Sequence, residues 1–173
     1  MDRLGIRPNL IVGDFDSHEN PHLPVETIVL PCEKDDTDTV FAVKEALKRG
    51  FDDFLLIGTI GGRIDHTLGN ISILLMLDTA GKHALMADDL TELSIISRRP
   101  TYIEDDCLYF SLLNISGTAR RITVENAKYP LDKGEIICDY QYGVSNEVLP
   151  GKTAKVTVEE GRLLLVKVLR EHL

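Results

Sequence analysis

The sequence predicts an α/β domain with a parallel sheet, followed by an all-β domain that forms an antiparallel β-sandwich. In residues 1–87, short apolar runs alternate with stretches of helical period, which is typical of a parallel sheet covered by helices. In residues 88–173, the helical period disappears and glycines separate short apolar runs, which is typical of a sandwich or barrel. We therefore place a domain boundary after residue 87.

The elements of the first half follow from apolar runs and helical spacing. Four strands are predicted, at Leu10–Val12, Thr27–Leu30, Phe54–Ile57 and His83–Ala87. A helix around Val40–Leu47 ends at Gly50, and a longer one over Asp65–Thr79 ends at Gly81. The apolar face expected for the longer helix comprises Leu68, Ile71, Leu74 and Leu75. Met1–Gly5 resembles the end of a helix with no strand before it, so we expect this domain to be incomplete at its start.

The second half is predicted to contain strands only. Seven are expected, at Leu93–Ile96, Thr101–Ile103, Cys107–Leu113, Arg121–Val124, Glu135–Ile137, Lys155–Val158 and Leu163–Leu169. Glycines punctuate these runs at regular spacing, which favours tight connections between antiparallel neighbours.

Composition excludes several classes of function. With 19 Lys and Arg against 28 Asp and Glu, the formal net charge is −9, which argues against a nucleic-acid partner. The three cysteines have neither zinc-site nor disulfide spacing, which favours a reducing compartment. The sequence shows no signal peptide and no membrane span, so we expect a cytoplasmic protein. An acidic protein binds an anionic nucleotide only where metal ions or local cations offset the repulsion.

The first predicted strand is followed by Gly13-Asp14-Phe15-Asp16-Ser17. Ligand sites in open parallel sheets lie at the carboxyl ends of the strands. Carboxylates at positions i and i+2 can converge on one Mg²⁺ ion, which prefers oxygen ligands. The alternative is a turn in which Asp14 and Asp16 accept backbone hydrogen bonds.

The second predicted strand is followed by Lys34-Asp35-Asp36-Thr37-Asp38, at the start of a helix. Thr and Asp at a helix N-terminus cap it and complement its dipole, which is the alternative to a metal-binding role. However, two acidic clusters at neighbouring strand ends repel each other unless a cation lies between them. The two clusters together therefore predict a cation site.

The third predicted strand leads into Gly58–His66, which opens the long helix. Gly61 and Gly62 allow the backbone to approach phosphate, and a helix N-terminus favours an anion. Arg63 can pair with phosphate oxygens in a two-pronged geometry. Asp65 either caps the helix or joins the site, and His66 is either a helix-surface residue or a proton-transfer group. The spacing is not that of a P-loop.

In this order the motifs resemble those of thiamine pyrophosphokinases, from about Gly5 to the end of the chain. The matching segments are Gly13–Ser17, Lys34–Asp38, Gly61–His66 with Leu68–Asn70, Lys128–Leu131 and Gly143–Glu147. The resemblance implies transfer of diphosphate from ATP to the hydroxyl of thiamine, with Mg²⁺, giving thiamine diphosphate and AMP. It also implies a homodimer in which the β domain contributes to the thiamine site. Without the resemblance, the last two segments would be read as ordinary turns.

The resemblance further implies roles for individual residues. The metal ligands would be Asp14, Asp16 and Asp38, and the catalytic carboxylates would be these three with Asp65. The ATP contacts would be Asp14, Ser17, Asp38, Gly61, Gly62 and Arg63. The thiamine contacts would be Asp65, His66, Asn70, Ser145 and Asn146.

Two alternatives remain at this stage. Members of this family normally begin with a further strand and a glycine-rich loop, and this chain begins after them. One alternative is therefore a truncated, non-catalytic metal- or nucleotide-binding module. The other is a phosphatase of the haloacid dehalogenase type, whose nucleophile motif resembles Asp14-x-Asp16 after an apolar strand. In those enzymes Thr or Val follows two residues after the second Asp, whereas this chain has His18.

Overall fold

Two units make up the computed structural model, which describes residues 5–16 and 19–170. The first unit ends at Phe51 and the second begins at Asp52. Within the described ranges, no helix combines the length and the apolar character needed to cross a membrane.

The first unit contains a pair of parallel strands and one helix. Strand β1 (Leu10–Gly13) pairs with β2 (Glu26–Val29), and helix α1 (Asp38–Lys48) follows. Thr37 is the N-cap of α1: its backbone is extended and its hydroxyl accepts a hydrogen bond from Val40 N at 3.3 Å. Because a side-chain oxygen satisfies a free N–H group of the first turn, the cap fixes where the helix begins. The capping role considered for Thr37 is therefore confirmed.

The second unit contains a mixed five-stranded sheet with the spatial order β3-β4-β5-β11-β7. Its members are β3 (Asp53–Ile57), β4 (His83–Ala87), β5 (Thr91–Ile96), β7 (Cys107–Leu113) and β11 (Leu163–Leu169). Strands β3 and β4 are parallel, joined by helix α2 (Ile64–Thr79), and the other pairs in this sheet are antiparallel. A parallel pair requires a crossover connection, which α2 supplies.

Helix α2 packs on this sheet mainly through its second half. Its buried residues are Ile73, Leu74 and Leu77, and Leu74 belongs to a core cluster that also contains Met86 and Leu164. The expected face is therefore partly wrong. Leu74 is buried, but Leu68 is 61% exposed because it lies in the part of α2 that precedes the buried stretch.

A second, four-stranded sheet has the order β6-β10-β8-β9 and is antiparallel throughout. Its members are β6 (Thr101–Ile103), β8 (Thr118–Glu125), β9 (Leu131–Ile137) and β10 (Ala154–Glu160). Residues from this sheet and from the β5, β7 and β11 part of the first sheet share one core, including Ile96, Phe110, Ile122, Val156 and Leu163. Two sheets packed face to face around a common core form a β-sandwich.

All predicted strands and both helices are present, with ends shifted by a few residues. The parallel pairs lie in the first half of the chain and the antiparallel strands in the second, which agrees in outline with an α/β part followed by a β-sandwich. A single parallel sheet over the first half was expected, but among the described residues β1 and β2 form a sheet of their own, while β3 and β4 belong to the mixed sheet. The five-stranded sheet continues across residue 87, because β4 pairs with β5. The predicted boundary after residue 87 does not separate two sheets. The division into domains 1–87 and 88–173 stays a prediction.

Candidate functional site

The loop after β1 turns back on itself through Asp14. Phe15 has a φ of 58°, in the left-handed region, and Asp14 Oδ1 accepts a hydrogen bond from Asp16 N at 3.2 Å. This is the local turn that was considered as the alternative for the segment. This turn uses only Oδ1 of Asp14, and Oδ2 has a different partner. Ser17 and His18 lie outside the described residues.

The second oxygen of Asp14 contacts a lysine from the next acidic segment. Lys34 Nζ lies 2.5 Å from Asp14 Oδ2 and 2.9 Å from Asp38 Oδ1. Asp14 N also donates to Asp38 Oδ2 at 3.4 Å. The side chains of Lys34 and Asp14 are only 15% and 12% exposed. The structure therefore brings together Asp14 and Asp38, as predicted, and adds Lys34 between them.

This contact shifts the proton equilibria of both partners. The hydrogen bond from Lys34 is the largest cause that holds the pKa of Asp14 below its ordinary value. The hydrogen bonds to Asp14 and then Asp38 raise the pKa of Lys34. Both shifts favour the charged forms, so at neutral pH Lys34 is an ammonium paired with the Asp14 carboxylate.

The acidic cluster offers oxygen ligands for a divalent cation, but not a complete cage. Among residues 5–16 and 19–170, no group of three or more His, Cys, Asp or Glu side chains could hold a metal ion. Two carboxylates, Asp14 and Asp38, do converge on one cationic atom. Mg²⁺ is commonly bound through one or two carboxylates together with substrate phosphates, so this donor pair fits it. Three protein ligands including Asp16 stay a prediction.

The glycine loop after β3 needs its glycines for conformation rather than for space. Gly58, Gly61 and Gly62 have φ angles of 74°, 89° and 63°, and a Cβ on any of them would meet no atom within 4 Å. Left-handed backbone favours glycine because other L residues are strained there. Thr67 holds the loop against α2, since its Oγ1 accepts from Gly61 N at 3.1 Å. The loop therefore has a defined backbone conformation, and its glycines are exposed just before the start of α2.

Arg63 and Asp65 form an exposed two-pronged pair at the start of α2. Arg63 Nε lies 3.1 Å from Asp65 Oδ1, and Arg63 Nη2 lies 2.5 Å from Asp65 Oδ2. This pairing, with Arg63 as the largest cause, lowers the pKa of Asp65 to about 2. Asp65 Oδ1 also accepts from His66 N at 3.0 Å. Both side chains are more than 60% exposed, so the guanidinium is accessible to another anion.

Asn70 anchors the same loop from within α2. Its Nδ2 donates to the carbonyl of Thr59 at 2.9 Å. The hydroxyl of Thr59 is itself buried and has no hydrogen-bond partner within the described part of the chain. The sequence prediction missed Thr59, because an isolated Thr in a glycine loop carries no distinctive pattern. The thiamine contact predicted for Asn70 stays a prediction beside this anchoring role.

The segment around Gly143 is fixed to the edge of β7. Leu112 N donates to Gly143 O at 2.7 Å, and Phe110 and Asn146 exchange backbone hydrogen bonds of 2.9 and 2.8 Å. A Cβ on Gly143 would lie 2.5 Å from Leu112 O, so this approach requires glycine. Ser145 N donates to Ser111 Oγ at 3.0 Å, and the backbone φ of Ser145 is 55°. The backbone of Ser145 is therefore held beside β7, and the residue itself is exposed.

Asn146 joins this segment to the Lys128–Leu131 segment. Its Nδ2 donates to Tyr129 O at 2.8 Å, and its Oδ1 accepts from Tyr129 N at 3.0 Å. Lys128 Nζ and Glu147 Oε1 add a contact of 2.6 Å between the two segments. The segments Lys128–Leu131 and Gly143–Glu147, which the family resemblance matched as separate motifs, are therefore in direct contact.

A small cavity of about 110 Å³ lies where these two segments meet. It is lined by Leu112, Val124, Tyr129, Pro130, Leu131, Ile136, Tyr142, Gly143, Val144 and Asn146. The Asn146 amide at its wall is already hydrogen-bonded to the backbone of Tyr129, and the Tyr142 hydroxyl donates to Glu135 O, so the cavity offers mainly apolar contact. Tyr142 was missed at the sequence level because its spacing matches none of the recognised motifs.

The predicted site residues thus form three local groups. Asp14, Asp16 and Asp38 belong to the first unit. The second unit contains the group of Gly61, Gly62, Arg63, Asp65, His66 and Asn70, and the separate group of Ser145 and Asn146.

Comparison with known proteins gives matches over both halves of the chain. The family model for the catalytic domain of thiamin pyrophosphokinase matches residues 1–86. The model for the vitamin B1 binding domain of thiamin pyrophosphokinase matches residues 99–163. These two ranges contain every predicted site residue.

Individual relatives agree with the family models. A thiamine pyrophosphokinase from Bacillus subtilis (strain 168) is 29% identical over 171 residues, covering 94% of this chain and 79% of its own length. A crystal structure of thiamine pyrophosphokinase from Bacillus subtilis superposes with a TM-score of 0.84 at 26% identity, covering 96% of this chain and 81% of that one. Yeast thiamin pyrophosphokinase, at 16% identity and a TM-score of 0.74, shares the fold, with 97% and 71% of the two chains covered.

Proposed function

Because the chain belongs to the thiamin pyrophosphokinase family, we propose that it transfers diphosphate from ATP to thiamine in a magnesium-dependent reaction at the residues described above. The matches to both the catalytic and the vitamin B1 binding models carry this proposal. The convergence of Asp14 and Asp38 on one cation supports the choice of a divalent metal. No comparable observation favours a phosphatase or a non-catalytic module.

The chemical step is a substitution at the β-phosphorus of ATP. The hydroxyl oxygen of thiamine forms a bond to the β-phosphorus, and the bond from that phosphorus to the α–β bridging oxygen breaks. AMP leaves with the bridging oxygen, and the hydroxyl proton is released. Such transfers depend mainly on positioning and on neutralising the charge of the phosphates.

Asp14 and Asp38 would hold Mg²⁺, with Asp16 as the third predicted ligand. When bound, the ion supplies positive charge to the phosphate oxygens. One of the carboxylates Asp14, Asp16, Asp38 and Asp65 accepts the hydroxyl proton. Their position beside cationic partners keeps Asp14 and Asp65 ionised at neutral pH.

The glycine loop and the start of α2 would bind the phosphates. Gly61 and Gly62 expose their backbone without side chains, and a helix N-terminus attracts an anion. Arg63 is exposed and two-pronged, which matches two phosphate oxygens. Asp14, Ser17 and Asp38 are the remaining ATP contacts that we propose.

Thiamine would be bound by Asp65, His66 and Asn70 together with Ser145 and Asn146. The positive thiazolium ring favours an acidic surrounding such as that of Asp65. We propose that the small apolar cavity beside Asn146 would contact part of one thiamine ring. We further propose that the protein acts as a homodimer, as the family resemblance implies.

The proposal is tested by measuring AMP formation from ATP and Mg²⁺, with and without thiamine. We expect AMP only when thiamine is present, and its loss in Asp14→Asn. Lys44→Met is a matched control, because Lys44 pairs with Asp36 at 2.6 Å at an exposed position of the same unit. Release of inorganic phosphate without thiamine would instead support a phosphatase.

A further inference from the structure

Lys34 has the surroundings of a bound cation. Its Nζ contacts three oxygens: Asp14 Oδ2 at 2.5 Å, Asp38 Oδ1 at 2.9 Å and the carbonyl of Pro31 at 3.1 Å. An ammonium group has three N–H donors, so each donor has an acceptor. The side chain is 15% exposed, although lysine side chains normally extend into solvent.

The carboxylates around Lys34 need a positive charge to lie this close together. Asp14 Oδ2 and Asp38 Oδ1 contact the same Lys34 Nζ, at 2.5 and 2.9 Å, so the two acidic groups lie close together around one atom. Without a cation they would repel each other and one would be pushed towards its protonated form. Lys34 therefore fills the electrostatic role of a metal ion.

A divalent ion cannot bind the same oxygens while Lys34 remains in place. Mg²⁺ binds its ligands at about 2.0–2.1 Å, so it would lie within a few ångströms of the ammonium. Two cations at that separation repel strongly in a partly buried site. Metal binding therefore requires that the hydrogen bonds from Lys34 to Asp14 and Asp38 be broken.

We propose that Lys34 is a built-in competitor of the divalent metal, occupying the space between Asp14 and Asp38 until metal and nucleotide enter together. This inference rests on the proposed metal site of the function above. Nucleotide phosphates would supply new oxygens both for the metal and for the displaced ammonium. The free protein therefore has a low affinity for the metal alone, and the affinity rises when nucleotide is present.

The test is the binding of Mn²⁺ to the full chain without nucleotide, measured by electron paramagnetic resonance. We expect Lys34→Met to bind Mn²⁺ at least about tenfold more tightly than the unaltered protein, because two charge-assisted hydrogen bonds no longer have to be broken. Lys44→Met, which removes an ammonium from another carboxylate of the same unit, should leave the affinity unchanged. A lysine with a merely structural role would give the opposite sign, since its loss would weaken the site.

Further variants separate the possible failures. If Lys34→Met does not fold, as judged by circular dichroism, Lys34→Gln removes the charge while keeping a hydrogen-bonding side chain. Equal or weaker Mn²⁺ binding in the folded neutral variant, with binding abolished in Asp14→Asn, would overturn the competitor role but keep the metal site. Unchanged Mn²⁺ binding in both Asp14→Asn and Asp38→Asn would instead overturn the metal site itself, and this inference with it.

Discussion

Asn146 binds both backbone groups of Tyr129 with a single side chain. Its Nδ2 donates to Tyr129 O at 2.8 Å, and its Oδ1 accepts from Tyr129 N at 3.0 Å. Asn146 is 8% exposed, so water cannot readily replace these bonds. The Asn146 amide therefore holds the Tyr129 part of the cavity wall in place. This structural role can be tested separately from any direct contact with a ligand.

Asn146→Ala should lower the free energy of unfolding by about 2 kcal/mol, because it removes the hydrogen bonds that this buried side chain makes to the backbone of Tyr129 and Glu147. Urea denaturation measures this change. Ser145→Ala should leave stability nearly unchanged, since its side chain is exposed, while raising KM for thiamine. A loss of stability in Ser145→Ala equal to that in Asn146→Ala would contradict this separation.

Two glycines are predicted to respond in opposite directions to alanine. Gly143→Ala should destabilise the fold by about 1–3 kcal/mol, because its Cβ would lie 2.5 Å from Leu112 O. Gly69→Ala should stabilise it by about 0.5–1 kcal/mol, because Gly69 is inside α2 with open space around it. Thermal unfolding of both variants checks the pair, and an equal shift of Tm in the same direction would refute it.

The carboxyl group of Asp65 is expected to titrate with a pKa of about 2, against an ordinary value near 3.8. Since the folded pKa is the lower one, the pair with Arg63 contributes stability above about pH 4 and loses it as the pH falls towards 2. Carboxyl-carbon NMR measures the pKa directly. In Arg63→Gln the pKa should return towards 3.8, and a value that stays near 2 would show that Arg63 is not its cause.

Replacement of Arg63 should affect ATP more than thiamine. We expect Arg63→Gln to raise KM for ATP by about tenfold or more, and Arg63→Lys to fall between it and the unaltered protein, because lysine keeps the charge but loses the two-pronged geometry. Arg120→Gln is the matched control, since Arg120 is exposed and pairs with Glu135 in the second sheet. An unchanged KM for ATP in Arg63→Gln would exclude a phosphate contact.

The sequence was sufficient for the elements and for part of the site. Strands such as Leu163–Leu169 were predicted because a short apolar run that follows a glycine carries a strong signal. The pairing of Asp14 with Asp38 also followed, from the rule that ligands gather at the carboxyl ends of parallel strands. The family motifs then assigned the chemistry to these positions.

Other features depend on contacts that no local pattern encodes. Lys34 reaches Asp14 across 20 positions of the chain, and its place in the motif gave no indication of this contact. The exposure of Leu68 depends on where α2 crosses the sheet, whereas helical period shows only which residues share a face. The cavity wall formed by Tyr142 arises from the packing of two distant loops.

The position of β11 has a consequence for the order of events during synthesis. This strand lies between β5 and β7 in the five-stranded sheet, although in the chain it begins only after both of them, 67 positions after the end of β5 and 50 positions after the end of β7. The sheet that carries the glycine loop after β3 therefore cannot close until residues 163–169 have left the ribosome. Pairings over such long separations form slowly. A nascent chain stopped before β11 should leave the facing edges of β5 and β7 without a pairing strand and depend on chaperones until translation is complete.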